Sequence, residues 1–150
     1  MNIGMKFKIP NEYGNYLKQI LDKIDSDNYT WKIEEAEVYK VELTDLFTMD
    51  KYSNYDFKKI ISQDRYYTVF TNIKLYEKED KTIIRNYENF LNSTCILILL
   101  VTDNIFVEIY SKSENILKII YENALKNKFT DISYITKNNF KRREFSAYSD

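Results

Sequence analysis

Three neighbouring glutamates are the residues of this chain best suited to chemistry. Glu34, Glu35 and Glu37 lie close together in the sequence, with Trp31 before them and Tyr39 after them. Paired carboxylates can divide into a general acid and a general base when their environments differ. Aromatic neighbours offer contact area to a ligand. These five residues are therefore a candidate ligand or partner surface, although a solvated strand face also has this pattern.

The strand that carries the glutamates is predicted to contain an irregularity. The apolar residues Trp31 and Ile33 occupy odd-numbered positions, whereas the apolar residues Ala36 and Val38 occupy even-numbered ones. Because side chains alternate strictly along a strand, this change of phase predicts a bulge or a break near Glu34–Glu35. Bulges often lie beside functional sites.

The stretch CILILLV, residues 95–101, is apolar throughout. It is far shorter than the ~20 apolar residues that a membrane-spanning helix needs. A strand covered on both faces has this composition, so we predict a central strand of a sheet. Cys95 begins the stretch, and with no histidine available to activate it we expect a small buried side chain rather than a reactive thiol.

Residue counts exclude several kinds of chemistry. The chain has no histidine, one cysteine and two glycines. These numbers rule out Ser-His-Asp and Cys-His catalysis, histidine-ligated metal, cysteine-rich zinc sites and glycine-rich phosphate loops. DSDN (25–28) begins like a calcium loop, but Tyr29 and Thr30 stand where a ligand and the glycine are needed, which favours a turn. We assign no catalytic, cofactor-binding or metal-binding residue and expect no cofactor.

The remaining periodicities predict a single α+β domain over residues 1–150. We expect a mixed, mostly antiparallel sheet of about five or six strands with two long helices packed on it. An Asp-Asn pair, Asp103-Asn104, predicts a tight hairpin, and Ser53 is a predicted helix cap. The cap of the last helix is either Ser111 with Glu114 or Ser113 alone. The order of residues 138–150, a polar end, stays open. The predicted strands are 5–9, 29–43, 66–77, 95–101, 105–112 and 131–137, and the two longer helices are 13–24, capped by Asn11, and the last helix.

The charges argue against nucleic acid and membrane as partners. Lysine and arginine number 22 and acidic residues 23, which gives a net charge of −1. No strong field of one sign therefore attracts the chain to phosphate or anionic lipid. A small basic patch near the end, interleaved with Phe140 and Phe145, keeps a weak single-strand nucleic-acid surface as an alternative. Its members are Lys137, Lys141, Arg142 and Arg143.

Three stretches together resemble a known protein family. They are KFKIPNEYGNYLKQIL (6–21), ENFLNSTCILILLVTDNIFVEIYSK (88–112) and IYENALKNKFTDISYIT (120–136). They are similar to the family catalogued as domain of unknown function 2691. The resemblance implies a single-domain cytoplasmic protein of low-G+C Gram-positive bacteria with no established activity, and it assigns no catalytic residues. Residues 42–82 have no matching stretch.

Three functional hypotheses follow. The leading one is a non-catalytic cytoplasmic module that binds another protein, with an immunity- or antitoxin-like role as its most specific form. A single cysteine fits a reducing cytoplasm. The alternatives are a small-ligand-binding protein or carboxylate-based enzyme around Glu34, Glu35 and Glu37, and a weak nucleic-acid binder. The sequence leaves the oligomeric state open.

Overall fold

Seven strands and four helices lie within residues 1–142 and 144–146, the part of the chain that the computed structural model describes. The strands are β1 (Asn2–Lys8), β2 (Thr30–Lys40), β3 (Lys51–Ser53), β4 (Tyr66–Tyr76), β5 (Cys95–Thr102), β6 (Phe106–Ser111) and β7 (Thr130–Thr136). The helices are α1 (Tyr16–Leu21), α2 (Asn54–Ile61), α3 (Tyr87–Leu91) and α4 (Glu114–Lys126). The predicted α+β class is confirmed.

The strands form one sheet in the order β3-β2-β4-β5-β6-β1-β7. Every pair of named strands in it is antiparallel. The apolar stretch predicted to be central is β5, which has three strands on either side. Leu97, Leu99 and Val101 face one side of the sheet and Ile98 and Leu100 the other, and all five are buried. The two-sided burial inferred from composition is therefore confirmed.

Different layers cover the two faces of the sheet. On the first face α1, α2 and α4 bury the larger apolar cluster, which includes Trp31 and Phe57. On the second face α3 and residues 138–142 and 144–146, called the C-terminal segment below, cover a smaller cluster. Phe90 of α3 and Phe145 of the C-terminal segment are 1% and 3% exposed. The prediction left the order of residues 138–150 open, and the described part of that range packs on the sheet.

The first helix is shorter than the periodicity predicts. Helix α1 begins after Asn15, not after Asn11. Gly14 instead pairs with Tyr66, each donating its backbone N–H to the other's carbonyl at 3.0 and 3.2 Å. The helix has already ended where Lys23 adopts a φ of 70°. The apolar stripe is buried as predicted at its centre, but pairing with β4 takes its first turn out of the helix.

The sequence patterns of helix caps and turns predicted the structure more accurately than the helical periodicity of α1 did. The hydroxyls of Ser53 and Ser113 accept the N–H groups of Asp56 and Ile116, as expected of helix N-caps. Asp103 and Asn104 have φ of 54° and 58°, which fits a type I′ hairpin turn. The sheet has one strand more than the five or six expected, because β3 has only three residues, too few to show an alternating pattern. Among the described residues α4 has 13 residues and α2 has 8, so the expected pair of long helices is matched only roughly.

Candidate functional site

The predicted bulge is present and turns two glutamates to the same face. Ile33 pairs with Ile73, and the next pair along the ladder is Glu35 with Asn72, so Glu34 is the extra residue. Two adjacent side chains would normally point to opposite faces. Here Glu34 and Glu35 both reach residues of β4 on the second face. The change of phase in the sequence therefore located the bulge correctly.

A fully buried lysine lies beneath the bulge. The side chain of Lys74 is 0% exposed, and its ammonium group lies 2.6 Å from the carboxylate of Glu34, which is 39% exposed. Lys74 also donates to the side-chain oxygen of Asn72 at 3.0 Å. Burying a charge is costly unless it is paired and hydrogen-bonded, and Glu34 and Asn72 meet both conditions. Glu34 is therefore the counter-ion of a buried cation.

Glu35 fixes the C-terminal segment on the sheet. One of its carboxylate oxygens accepts from the amide of Asn72 at 3.2 Å, and the other accepts from the hydroxyl of Ser146 at 3.0 Å. The same amide donates to the backbone carbonyl of Phe145 at 2.9 Å. Carboxylates engaged in this way hold neighbouring segments together. The contacts favour a structural role for Glu34 and Glu35.

The other members of the predicted surface are divided between the two faces. Trp31 is buried on the first face, where its ring stacks on Phe57 at 4.3 Å and its indole N–H donates to Asn54 at 2.9 Å. Glu37 and Tyr39 follow the bulge on the second face, and desolvation together with the Glu37 carboxylate raises the pKa of the Tyr39 hydroxyl. The structure brings the three glutamates and Tyr39 to one side and separates Trp31 from them.

Cys95 has the environment of a packing residue. It is 0% exposed, and its thiol points to the carbonyl of Leu97 at 3.3 Å. Burial raises the pKa of the thiol to about 11, so the reactive thiolate is scarce near neutral pH.

The described members of the basic patch differ in exposure and in their contacts. Arg142 is an anchor: its side chain is 7% exposed, its guanidinium bonds to Glu108, and it donates to the carbonyl of Ser146 at 2.8 Å. Lys137 and Lys141 are exposed, and Arg143 lies outside the described residues. The second carboxylate oxygen of Glu108 accepts from Tyr110 at 2.7 Å.

Two adjoining cavities lie on the second face, over β6, β1 and β7. The smaller has a volume of about 300 Å³ and the larger about 600 Å³. They share Lys6, Glu108 and Arg142 as lining residues. None of the predicted surface residues lines either cavity. The concave site that would favour a carboxylate enzyme is therefore not found at these two cavities.

The outer edge of the sheet, residues 41–50, is acidic and exposes apolar side chains. It runs back along β2, with backbone hydrogen bonds of 2.8 Å from Lys40 to Thr44, from Leu46 to Val38 and from Ile33 to Asp50. Large side chains are exposed along it: Val41 by 56%, Leu43 by 74% and Met49 by 62%. Leu43 has a φ of 67°, a conformation that costs a bulky residue energy.

This edge and the adjoining part of β2 together carry much of the charge asymmetry of the chain. Residues 34–50 contain six acidic side chains and one lysine, a net charge of −5, which leaves +4 on the rest of the chain. The near-zero net charge therefore conceals an acidic region at the β2–β3 end of the sheet. This separation of charge is present in the sequence, but the overall net charge of −1 hides it.

Together the fold and the site define an α+β protein. Within the described residues its sheet has seven antiparallel strands, with helices on one face and a helix and an irregular segment on the other. Comparison with known proteins places the chain in a family: the sequence model described as "Protein of unknown function (DUF2691)" matches residues 2–146. The chain belongs to this family, as the resemblance of the three stretches indicated.

A relative supports the assignment. The uncharacterized protein YncE of Bacillus subtilis (strain 168) is 36% identical over 154 residues, an alignment that covers 98% of this chain and 100% of the relative. No solved structure matches the chain significantly. In the described part of the chain no helix is long and apolar enough to cross a membrane.

Proposed function

We propose that this protein is a non-catalytic binding module of the cytoplasm that recognises another protein through its outer edge, residues 41–50. The observation that carries the proposal is the exposure of Val41, Leu43 and Met49 on one short acidic segment. Exposed apolar side chains rimmed by charge are typical of protein–protein contact sites. The strained backbone at Leu43 is also typical of a functional position.

The charges of this edge indicate the chemistry of the partner. Glu42, Asp45 and Asp50 are exposed in the same segment as the apolar side chains, and the edge adjoins the glutamates of β2 in the sequence. An acidic rim steers a basic surface into contact and repels acidic ones. The partner is therefore a protein with a basic surface and an apolar hollow that receives Leu43. An immunity- or antitoxin-like role is the most specific form of this proposal.

No comparable observation favours the alternative functions. Glu34 and Glu35 are engaged by Lys74, Asn72 and Ser146, and Arg142 is engaged by Glu108. Two of the three predicted glutamates and Arg142 of the basic patch are thus committed to structural contacts.

Affinity purification from the native host tests the proposal with three baits. The wild type and Leu125→Ser, which alters a side chain 56% exposed on α4, should each recover one basic protein in near-equimolar amount. The double variant Val41→Ser/Leu43→Ser should lose it, and salt should weaken the complex because the rim is charged. If co-expression suppresses the toxicity of the recovered partner, the immunity-like form is supported. Equal recovery by all three baits, or repeated recovery of nothing, would refute the proposal.

A further inference from the structure

We propose that the two adjoining cavities on the second face form one trough that binds a small organic anion with an apolar body. This inference is independent of the proposed docking edge. The trough lies over β6, β1 and β7, and five strand spacings, about 24 Å, separate β1 from β3.

The sheet itself makes room for the smaller cavity. Gly4 of β1 has no side chain where a Cβ would lie 2.9 Å from the ring of Tyr110, so that ring can lie across β1. Lys6 and Glu108 are directly opposite one another on β1 and β6. Asn139, Lys141 and Arg142 of the C-terminal segment complete the wall. A cavity of about 300 Å³ remains between sheet and segment.

The smaller cavity has an excess of positive charge. Glu108 and Arg142 bond to each other, so their charges cancel. Lys6 and Lys141 also line the cavity, and within the described part of the chain neither forms an ion pair. The lining therefore carries two lysines without an ion-pair partner among the described residues, together with the amide of Asn139. A carboxylate or phosphate group would receive charge-assisted hydrogen bonds there.

The larger cavity supplies an apolar surface. Phe106, which is 46% exposed, lines it, and the ammonium of Lys8 lies 5.6 Å from the centre of that ring. Lys8 is neutralised by Asp131 at 2.9 Å, so this end attracts an anion less than the other end does. The volume of about 600 Å³ is within the range of small-molecule sites.

The strand register sets the dimensions of the ligand. Lys6 pairs with Glu108 and Lys8 with Phe106, so the Cα atoms of Lys6 and Phe106 are two residues and one strand apart. That offset corresponds to about 8 Å. A suitable ligand has its anionic group and its ring or acyl chain separated by a few bonds. 4-Phenylbutyrate has this layout, 4-phenylbutanol lacks the charge and butyrate lacks the ring.

Titrations followed by amide NMR shifts test the trough with these three probes and inorganic phosphate. 4-Phenylbutyrate should bind saturably at sub-millimolar concentration and shift residues of β1, β6 and the C-terminal segment, whereas the alcohol and butyrate should each bind about tenfold more weakly. Saturable binding of inorganic phosphate would identify phosphate as the preferred anionic group. If no anion among the four saturates at millimolar concentration, or the alcohol binds as well as the acid, the proposal fails.

Matched variants locate the contacts. Lys6→Gln and Lys141→Gln should each weaken 4-phenylbutyrate about tenfold, and Phe106→Ser should weaken it without changing butyrate. Lys118→Gln, at an exposed position of α4 in the helix layer, should change nothing. These positions are exposed, so each variant is expected to fold, which circular dichroism checks. Equal effects of Lys6→Gln and Lys118→Gln would show that binding depends on overall charge and not on the trough.

Discussion

The ion pair under the bulge predicts unequal effects for its two partners. Lys74 is 0% exposed and Glu34 is 39% exposed. If Lys74 is replaced by methionine, a chain of similar length fills the space and Glu34 regains water. If Glu34 is replaced by alanine, the ammonium stays buried, and among the described residues the amide oxygen of Asn72 is the acceptor that remains. The burial of each partner therefore decides what its removal costs.

The magnitudes follow from the contacts. Lys74→Met leaves the Asn72 oxygen without its donor, which costs about 1 kcal/mol. Glu34→Ala leaves a buried charge uncompensated, which costs about 3 kcal/mol, the low end for such pairs because water can enter where Glu34 was exposed. The double variant should resemble Lys74→Met, which gives a coupling of about 3 kcal/mol. For a domain of this size Glu34→Ala should lower Tm by roughly 6–12 °C.

Urea unfolding measures these differences. The only tryptophan, Trp31, stacks in the core on Phe57, so its fluorescence reports loss of tertiary structure. Glu42→Ala removes the same charge from an exposed position and should shift the free energy of unfolding by less than about 0.5 kcal/mol. The reasoning is refuted if Glu34→Ala costs no more than Lys74→Met, or if Glu42→Ala costs as much.

Two further predictions concern the sheet. At pH 8 Cys95 should not react with a disulfide reagent until denaturant is added, because burial raises its pKa to about 11; rapid reaction of the native protein would contradict this. Gly4→Ala would force a Cβ against the backbone oxygen of Ile109 and should cost up to about 3 kcal/mol. Gly14→Ala meets instead the ring of Tyr16, which can shift, so it should cost less; equal urea midpoints for the two variants would show that the close approach at Gly4 is unimportant.

Sequence patterns predicted the parts of this fold that are determined by residues close together in the sequence. The parity change located the bulge at Glu34, and composition identified the central strand. The buried network was missed because Asn72 and Lys74 alternate with apolar residues, a pattern that normally assigns them to solvent. The layer that buries them comes from Phe145, which lies 73 residues beyond Asn72. No local pattern contains that information.

The irregular layer on the second face follows from the polar side chains beneath it. A helix uses its own backbone carbonyls, whereas an extended segment leaves them available as acceptors. The C-terminal segment supplies such carbonyls at Phe145 to Asn72, at 2.9 Å, and at Ser146 to Arg142, at 2.8 Å. A helix lying there would leave the Asn72 amide with Glu35 as its one acceptor among the described contacts. The polar side chains of β4 and the C-terminal segment that covers them therefore stabilise each other. Neither would be stable against a purely apolar partner.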